Sequence, residues 1–268
     1  MSKFNDADEV KRQYGTTKNL NSRVLLHELY STNKLGWGNW VFGNYQLAPD
    51  QRILELGCGT AGIWQAYADA VPEGTHLVLS DFSVGMLEAA KANTSALNFV
   101  EYMEIDAQSI PYDDNSFDIV IANHMLYHVP DIDKALAEIR RVLKPEGTFY
   151  ATTLGNNNFK ELIGLLRGFD SKIDIGLDAV TNAFGLESGG AKLKKYFGSV
   201  EVRRYEDGLH ITEAEPLIDY ILSMQGIGNV SERIAGGNVA RFARYVEEIF
   251  AKHSYIDIVK DAGMFVAR

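Results

Sequence analysis

The chain has 268 residues, of which 46% are hydrophobic and 23% charged, and its formal net charge is −10. This length is enough for one α/β domain with an insertion or a small cap. The acidic balance argues against a nucleic-acid partner, which calls for clustered Lys and Arg. Its one cysteine, Cys58, allows no disulfide within the chain, and no apolar run approaches the ~20 residues of a membrane span. We therefore expect a soluble, cytoplasmic protein without a membrane partner.

Residues 1–48 precede the first predicted strand, and we expect them to form an N-terminal helical cap. They include the aromatic stretch LGWGNWVFGNY. Its rings can pack on the neighbouring domain, or part of the segment can fold over a ligand site as a lid. Tyr14 and Trp37 are the candidates for the lid.

Residues 49–155 alternate between short apolar runs and helical patterns. The predicted strands are Ile53–Leu56, Leu77–Leu79, Phe99–Ile105, Phe117–Ala122 and Thr148–Leu154. Unbroken apolar strands that alternate with helices predict a doubly wound, mostly parallel sheet.

Three helices are predicted between these strands. The first runs from Ile63 to about Val71, the second follows Ser83 as its N-cap, and the third opens at Asp131. The turn sequence of residues 144–147, Lys-Pro-Glu-Gly, is expected to stop the third helix before the fifth strand.

After Leu154 the alternation changes. Residues 156–198 are expected to be an inserted helical cap. Residues 199–268 are expected to add two strands, Val200–Tyr205 and Tyr255–Val266, with helices between them. The whole chain is thus predicted to be an α/β protein with a Rossmann-like, seven-stranded sheet and a helical cap.

The first predicted strand runs into a glycine loop, in the sequence ILELGCGTAG. Gly57, Gly59 and Gly62 have the spacing GxGxxG between a strand and a helix. In such a loop the first glycine allows the turn, the second allows a cofactor to approach, and the third allows the helix to pack on the strand.

Two acids indicate what the loop binds. Asp81 ends the second strand, about twenty residues past the last glycine, where an acid can hydrogen-bond a ribose diol. Glu55 lies two residues before Gly57, where we expect it inside the mouth of the loop, and it would repel a pyrophosphate. It suits a ligand with a cationic group, bound directly or through water.

The segment ELGCGTAG resembles the first motif of the class I S-adenosylmethionine-dependent methyltransferases. The resemblance covers about residues 50–155 and is closest to the small-molecule branch that includes the ubiquinone and menaquinone biosynthesis methyltransferases. It implies S-adenosyl-L-methionine as cofactor and methyl transfer to an O, N or C atom of a small-molecule acceptor.

The resemblance also implies further cofactor contacts after the second, third and fourth strands. Asp106 and Ala107 match the place where the family contacts the adenine amino group and ring, and Phe82 can pack on the adenine face. Asn123 matches the segment beside the methionine moiety.

The sequence after the fourth strand, NHMLYH, holds the candidates for a general base. His124 is our candidate, since imidazole titrates near neutral pH, with Tyr127 and His128 as neighbours. The pair His124 and His128 has metal-ligand spacing but no further clustered ligands, so we expect no metal.

Two other functions share parts of this pattern. An NAD(P)-dependent oxidoreductase has the same glycine spacing, but Glu55 and the absence of a placed hydride-transfer set count against it. A non-catalytic cofactor-binding module would keep Gly57, Asp81 and Asp106 and lack a cavity for an acceptor.

Overall fold

The computed structural model describes residues 25–224 and 227–268. Tyr14, one of the two lid candidates, lies outside the described residues. Seven strands form one sheet in the order β3-β2-β1-β4-β5-β7-β6. The strands are β1 (Arg52–Leu56), β2 (His76–Asp81), β3 (Val100–Glu104), β4 (Phe117–Asn123), β5 (Leu143–Leu154), β6 (Val200–Ile211) and β7 (Ile256–Ala267).

The strand directions confirm the predicted fold class. β1 pairs in parallel with β2 and β4, β2 with β3, and β4 with β5. β7 pairs antiparallel with β5. The chain order of the strands reverses between β1 and β4, and open α/β sheets bind ligands beyond the carboxyl ends of the strands at such a point.

The helices alternate with the first five strands and become more frequent afterwards. They are α1 (Trp37–Asn44), α2 (Gly62–Ala66), α3 (Val84–Thr94), α4 (Ile132–Val142), α5 (Lys160–Phe169), α6 (Leu177–Phe184), α7 (Gly189–Leu193), α8 (Ala214–Leu222), α9 (Val230–Ile234) and α10 (Asn238–Lys252). Residues 25–30 are also helical. In the described part of the chain, no helix has the length and apolar character needed to cross a bilayer.

The predicted helix after the glycine loop is shorter than expected. α2 ends at Ala66, and a 3₁₀ turn, Ala68–Ala70, follows it. Val71 is extended, as the residue before a proline prefers to be.

The predicted helix caps differ from each other in the structure. Asp131 caps α4 as expected, since its side chain accepts the N–H of Lys134. Ser83 occupies the N-cap of α3 without a side-chain hydrogen bond.

The third predicted helix ends at Val142, before residues 144–147, but the predicted start of the fifth strand at Thr148 is wrong, because these residues lie inside β5. Phe117 pairs with Leu143 and Ile119 with Thr148, so the four residues form an irregularity in one long strand. A Cβ on Gly147 would come within 2.7 Å of the Leu143 side chain and 2.9 Å of the Asp118 carbonyl. Glycine is therefore needed for this close approach of two backbones.

One face of the sheet forms an apolar core because strand side chains alternate between faces. Ile53 of β1 lies beside Leu77 and Ile119 in the two neighbouring strands. All three are fully buried, together with Val41 of α1 and Trp64 of α2.

The chain divides into two compact units, each built from three stretches of sequence. One comprises the described part of Met1–Gly36, Asn156–Val180 and Glu206–Asp261, and the other comprises Trp37–Gly155, Thr181–Tyr205 and Ala262–Arg268. In the first unit the Asp207 carboxylate accepts hydrogen bonds from Ser31 and Lys260. The second unit holds β1–β5. The division into four segments that we expect from the sequence, residues 1–48, 49–155, 156–198 and 199–268, stays a prediction.

Candidate functional site

The glycine loop leaves the end of β1 with three left-handed residues. Gly57 has φ +66°, Gly59 has φ +56° and Ala61 has φ +56°. The N–H of Cys58 donates to the Ser80 carbonyl at 2.8 Å, which ties the loop to β2. Burial raises the pKa of the Cys58 thiol, so the thiol stays protonated.

The three glycines have different surroundings. A Cβ on Gly57 would lie 2.8 Å from the Met125 side chain, whereas a Cβ on Gly59 would enter open space. The open space beside Gly59 is consistent with the close approach of a ligand that the motif predicts. A Cβ on Gly62 would meet only the Thr60 hydroxyl at 3.9 Å, so the expected need for glycine in helix–strand packing is wrong here.

Glu55 lies on the apolar face of the sheet. Its neighbours in register are Leu79 and Ile121, and its side chain is 4% exposed. Both carboxylate oxygens have donors: Trp64 Nε1 donates to one, and Asn123 Nδ2 donates to the other at 2.8 Å. Glu55 is thus a buried and hydrogen-bonded acid, where the sequence had suggested an acid in the mouth of the loop.

Burial raises the pKa of Glu55 to about 7, and the neighbouring Asp81 raises it as well. The two hydrogen bonds from Trp64 and Asn123 act in the opposite direction because they stabilise the ionised form. Glu55 therefore changes charge near neutral pH, which is unusual for a carboxyl group.

Asp81 closes the other side of the glycine loop. One of its oxygens accepts the N–H of Gly59 at 3.0 Å, and the other accepts the N–H of Ser83 at 2.8 Å. Desolvation raises the pKa of Asp81, partly offset by these N–H groups. The next residue, Phe82, is 53% exposed, so one apolar ring is available beside this acid.

Asp106 and Ala107 follow β3. The Asp106 carboxylate is exposed and accepts the backbone N–H of Gln108 at 2.9 Å, whereas Ala107 is buried. Further along the same loop, the N–H of Ile110 donates to the Glu138 carboxylate of α4, which also binds Arg141. These contacts attach the loop to α4. The hydrogen bonds of Asp106 lie within its own loop, to Gln108 and to the N–H of Ser109.

Asn123 joins three elements at the end of β4. Besides Glu55, its Nδ2 donates to the Tyr45 hydroxyl at 2.8 Å, and its Oδ1 accepts from the Thr152 hydroxyl at 3.2 Å. Tyr45 directly follows α1, and Thr152 lies on β5. The sequence did not predict that Tyr45, Trp64 and Thr152 belong to the site, because in the sequence each resembles an ordinary core residue.

His124 lies beside an aromatic cluster formed by Trp37, Trp40 and Tyr205. The His124 ring lies 5.1 Å from Trp37, which in turn lies 5.3 Å from Trp40 and 5.2 Å from Tyr205. The backbone of His124 is left-handed, with φ +48°. Of the two lid candidates, Trp37 thus lies next to the candidate base.

The structure also brings the other candidates of this segment together. Tyr127 lies 6.4 Å from His124 and 4.6 Å from His128, measured between ring centroids. Over residues 25–224 and 227–268, no three His, Cys, Asp or Glu side chains group as metal ligands would.

Comparison with known proteins identifies the core of the chain. Residues 54–151 match the family model described as a methyltransferase domain. Demethylmenaquinone methyltransferase of Staphylococcus epidermidis is 38% identical over 111 residues, which are 41% of this chain and 46% of that protein. The ubiquinone/menaquinone biosynthesis C-methyltransferase UbiE of Vibrio cholerae is 36% identical over 114 residues, 41% and 44% of the two chains. The match spans less than half the length of these relatives.

A solved structure extends the comparison to the whole chain. Phosphoethanolamine N-methyltransferase 2 of Haemonchus contortus, in complex with S-adenosyl-L-methionine, superposes with a TM-score of 0.59 at 19% identity. The superposition covers 100% of this chain and 60% of that one. At this sequence identity it shows a similarity of fold. Residues 54–151 thus match a methyltransferase domain, and the chain shares the fold of this solved methyltransferase structure. This domain is similar to UbiE, which confirms the resemblance predicted from the sequence.

The burial of Glu55 makes the stability of the protein depend on pH, and the hydrogen bond from Trp64 reduces this dependence. Because the pKa of Glu55 is raised on folding, this group favours folding at low pH, and its contribution falls as the pH rises through about 7. Trp64→Phe removes a donor to the ionised form and raises this pKa further. We expect a loss of about 1 kcal/mol at pH 5 and about 2–3 kcal/mol at pH 8 in the free energy of unfolding. Urea denaturation at the two pH values measures both losses; equal losses would contradict this account.

Gly57 and Gly59 form a matched pair for testing the loop. Gly57→Ala adds a Cβ against Met125 in a left-handed conformation, and we expect it to lower the free energy of unfolding by about 2–4 kcal/mol. Gly59→Ala adds a Cβ in open space, and about 1 kcal/mol is expected from its backbone alone. Thermal and urea unfolding of the two variants measure the difference. A Gly59→Ala variant as unstable as Gly57→Ala would mean that the space beside Gly59 is filled by the protein.

Proposed function

We propose that this protein transfers a methyl group from S-adenosyl-L-methionine to a small aromatic acceptor of the quinol class. The observation that carries the proposal is the grouping of an open glycine turn, two acids and an aromatic–histidine cluster at the carboxyl ends of β1, β2 and β4. The proposal is supported by two relatives, whose names are demethylmenaquinone methyltransferase and ubiquinone/menaquinone biosynthesis C-methyltransferase. An NAD-binding role is disfavoured because the ionised form of Glu55, two residues before the glycine loop, would repel a diphosphate bound to that loop.

The residues of the loop fit the nucleoside part of this cofactor. The open space at Gly59 admits it, and the Asp81 carboxylate has lone pairs left for the two ribose hydroxyls. The exposed ring of Phe82 is suited to pack on adenine. The Asp106 carboxylate would accept from the adenine amino group, and the N–H of Ala107 would donate to a ring nitrogen.

Glu55 and Asn123 belong to the part of the site that would hold the cationic end of the cofactor. S-adenosyl-L-methionine, when bound, supplies an electrophilic methyl group on a positively charged sulfur. The Glu55 carboxylate has low exposure and few competing waters, so its attraction to a cation is stronger than at the surface. Asn123 holds this carboxylate in place through its Nδ2.

His124 and Trp37 would serve the acceptor. An aromatic acceptor can stack on Trp37, whose ring already lies 5.1 Å from the His124 imidazole. The acceptor atom gains the methyl group as the bond between this group and the donor sulfur breaks, and it loses a proton, which the His124 imidazole can take. Positioning of the acceptor against the methyl group would supply much of the rate. We infer a cytoplasmic location, in keeping with the single cysteine of the chain.

Calorimetric titration tests the cofactor and the role of Glu55 together. About one tenth of Glu55 is ionised at pH 6 and about nine tenths at pH 8, if its pKa is about 7. We expect S-adenosyl-L-methionine to bind about five- to tenfold more tightly at pH 8 through this group. Glu55→Gln should bind more weakly and lose this part of the pH dependence, and so controls for titration of the ligand's own amino group. Binding of NAD in place of S-adenosyl-L-methionine would overturn the proposal.

Turnover with a panel of quinols and other phenols tests the acceptor. Trp37→Ala should raise KM for an aromatic acceptor about five- to tenfold, because ring stacking contributes about 0.5–1.5 kcal/mol beyond the buried area. Trp37→Phe keeps a ring and should recover most of the affinity, and the Kd for S-adenosyl-L-methionine should not change in either variant. Cofactor binding without turnover of any acceptor would instead favour a non-catalytic binding module.

A further inference from the structure

Thr152 connects the buried acid of the site to the candidate base. It lies near the end of β5, opposite Asn123 in the register of β4 and β5, and is 1% exposed. Its hydroxyl donates to Asn123 Oδ1 at 3.2 Å and accepts the backbone N–H of His124 at 3.1 Å. The same N–H also reaches the Thr152 carbonyl, at 3.1 Å.

The side-chain amide of Asn123 has two possible orientations, and Glu55 distinguishes between them. An ionised carboxylate only accepts hydrogen bonds, so it requires Asn123 Nδ2 to point at it, as observed. A neutral Glu55 must donate its proton. The indole of Trp64 is a donor only, so the proton has to lie on the oxygen that faces Asn123. A neutral Glu55 therefore favours the opposite orientation, with Asn123 Oδ1 towards the acid.

The hydroxyl of Thr152 favours the observed orientation. It accepts from His124 and thus directs its own hydrogen to Asn123 Oδ1. If the amide turned over, Nδ2 would face this hydrogen, and one of the two donors would lose its acceptor. Unsatisfied buried donors are costly. The hydroxyl of Tyr45 can either donate or accept, so it is compatible with both orientations.

The remaining groups around Glu55 oppose its charge. The carboxylate of Asp81 repels it from the end of β2, and the charge on Glu55 in turn raises the pKa values of Cys58 and Tyr45. Among the described residues, Trp64 and Asn123 donate the hydrogen bonds that stabilise the ionised form of Glu55. The orientation of one amide therefore has a large influence on this acid.

We propose that Thr152 is a positioning residue: through Asn123 its hydroxyl keeps Glu55 in the ionised form that attracts a cationic ligand, and through the N–H of His124 it fixes the backbone of the candidate base. The ligand part of this role rests on the function proposed above. The effect of Thr152 on the ionisation of Glu55 does not depend on that function, because it is a property of the free protein.

The first experiment uses the free protein. Thr152→Val removes the hydroxyl at nearly constant shape, and Thr152→Ser keeps the hydroxyl as the matched control. The free energy of unfolding is measured between pH 5 and pH 9. We expect the midpoint of the Glu55-linked change to move upwards by about one pH unit in Thr152→Val and to stay in place in Thr152→Ser. In a Glu55→Gln background the difference between Val and Ser should no longer depend on pH. Unchanged midpoints in all variants would overturn the proposal.

The second experiment measures ligand binding by calorimetry at pH 7 and pH 9. Thr152→Val should bind S-adenosyl-L-methionine about three- to tenfold more weakly than the wild type at pH 7 and should approach it at pH 9. Thr152→Ser should follow the wild-type profile. An equal loss in both variants at both pH values would mean that Thr152 acts through packing, against the proposal. If the wild type does not bind this ligand, the proposed function fails, whereas the unfolding experiment still decides the effect of Thr152 on Glu55.

Discussion

The structure of the site depends on one buried carboxylate. Glu55 of β1 lies on the apolar face of the sheet between Leu79 of β2 and Ile121 of β4, where burial of an acid without partners would cost much free energy. The indole of Trp64 and the amide of Asn123 make it tolerable by donating to its two oxygens. Through these partners, the glycine loop and the ends of β4 and β5 are fixed relative to one another. A charge that is costly in the free protein is well suited to hold a cation.

The fold could be predicted because its signals are local and repeated. Strands such as Phe117–Asn123 are mostly apolar, and each is separated from the next by a helical pattern or a turn. The positions of Gly57, Gly59 and Asp81 also followed from the motif, since a left-handed turn and an acid at the next strand end are required at fixed spacing. The start of β5 was placed too late, at Thr148, because Pro and Gly are typical of turns, and a strand irregularity uses the same residues.

The side-chain network could not be predicted in the same way. The sequence placed Glu55 beside the loop, but its depth follows from alternation along β1 and from the cover provided by α1 and α2, which precede and follow β1 in the chain. Tyr45 and Thr152 meet at Asn123 from sequence positions about a hundred residues apart. A single hydroxyl or indole has no periodicity, so nothing in the sequence distinguishes it from an ordinary core residue.

The interleaving of the two compact units restricts how the protein can be rebuilt. The chain passes repeatedly from one unit to the other, and both β6 and β7 contain residues of each. Neither unit is therefore a cassette that could be exchanged by one cut and one join. A chimera would need several junctions at once, two of them inside strands, where a shift of one residue turns every following side chain to the opposite face. Replacement of individual side chains is the more practical route to altering this protein.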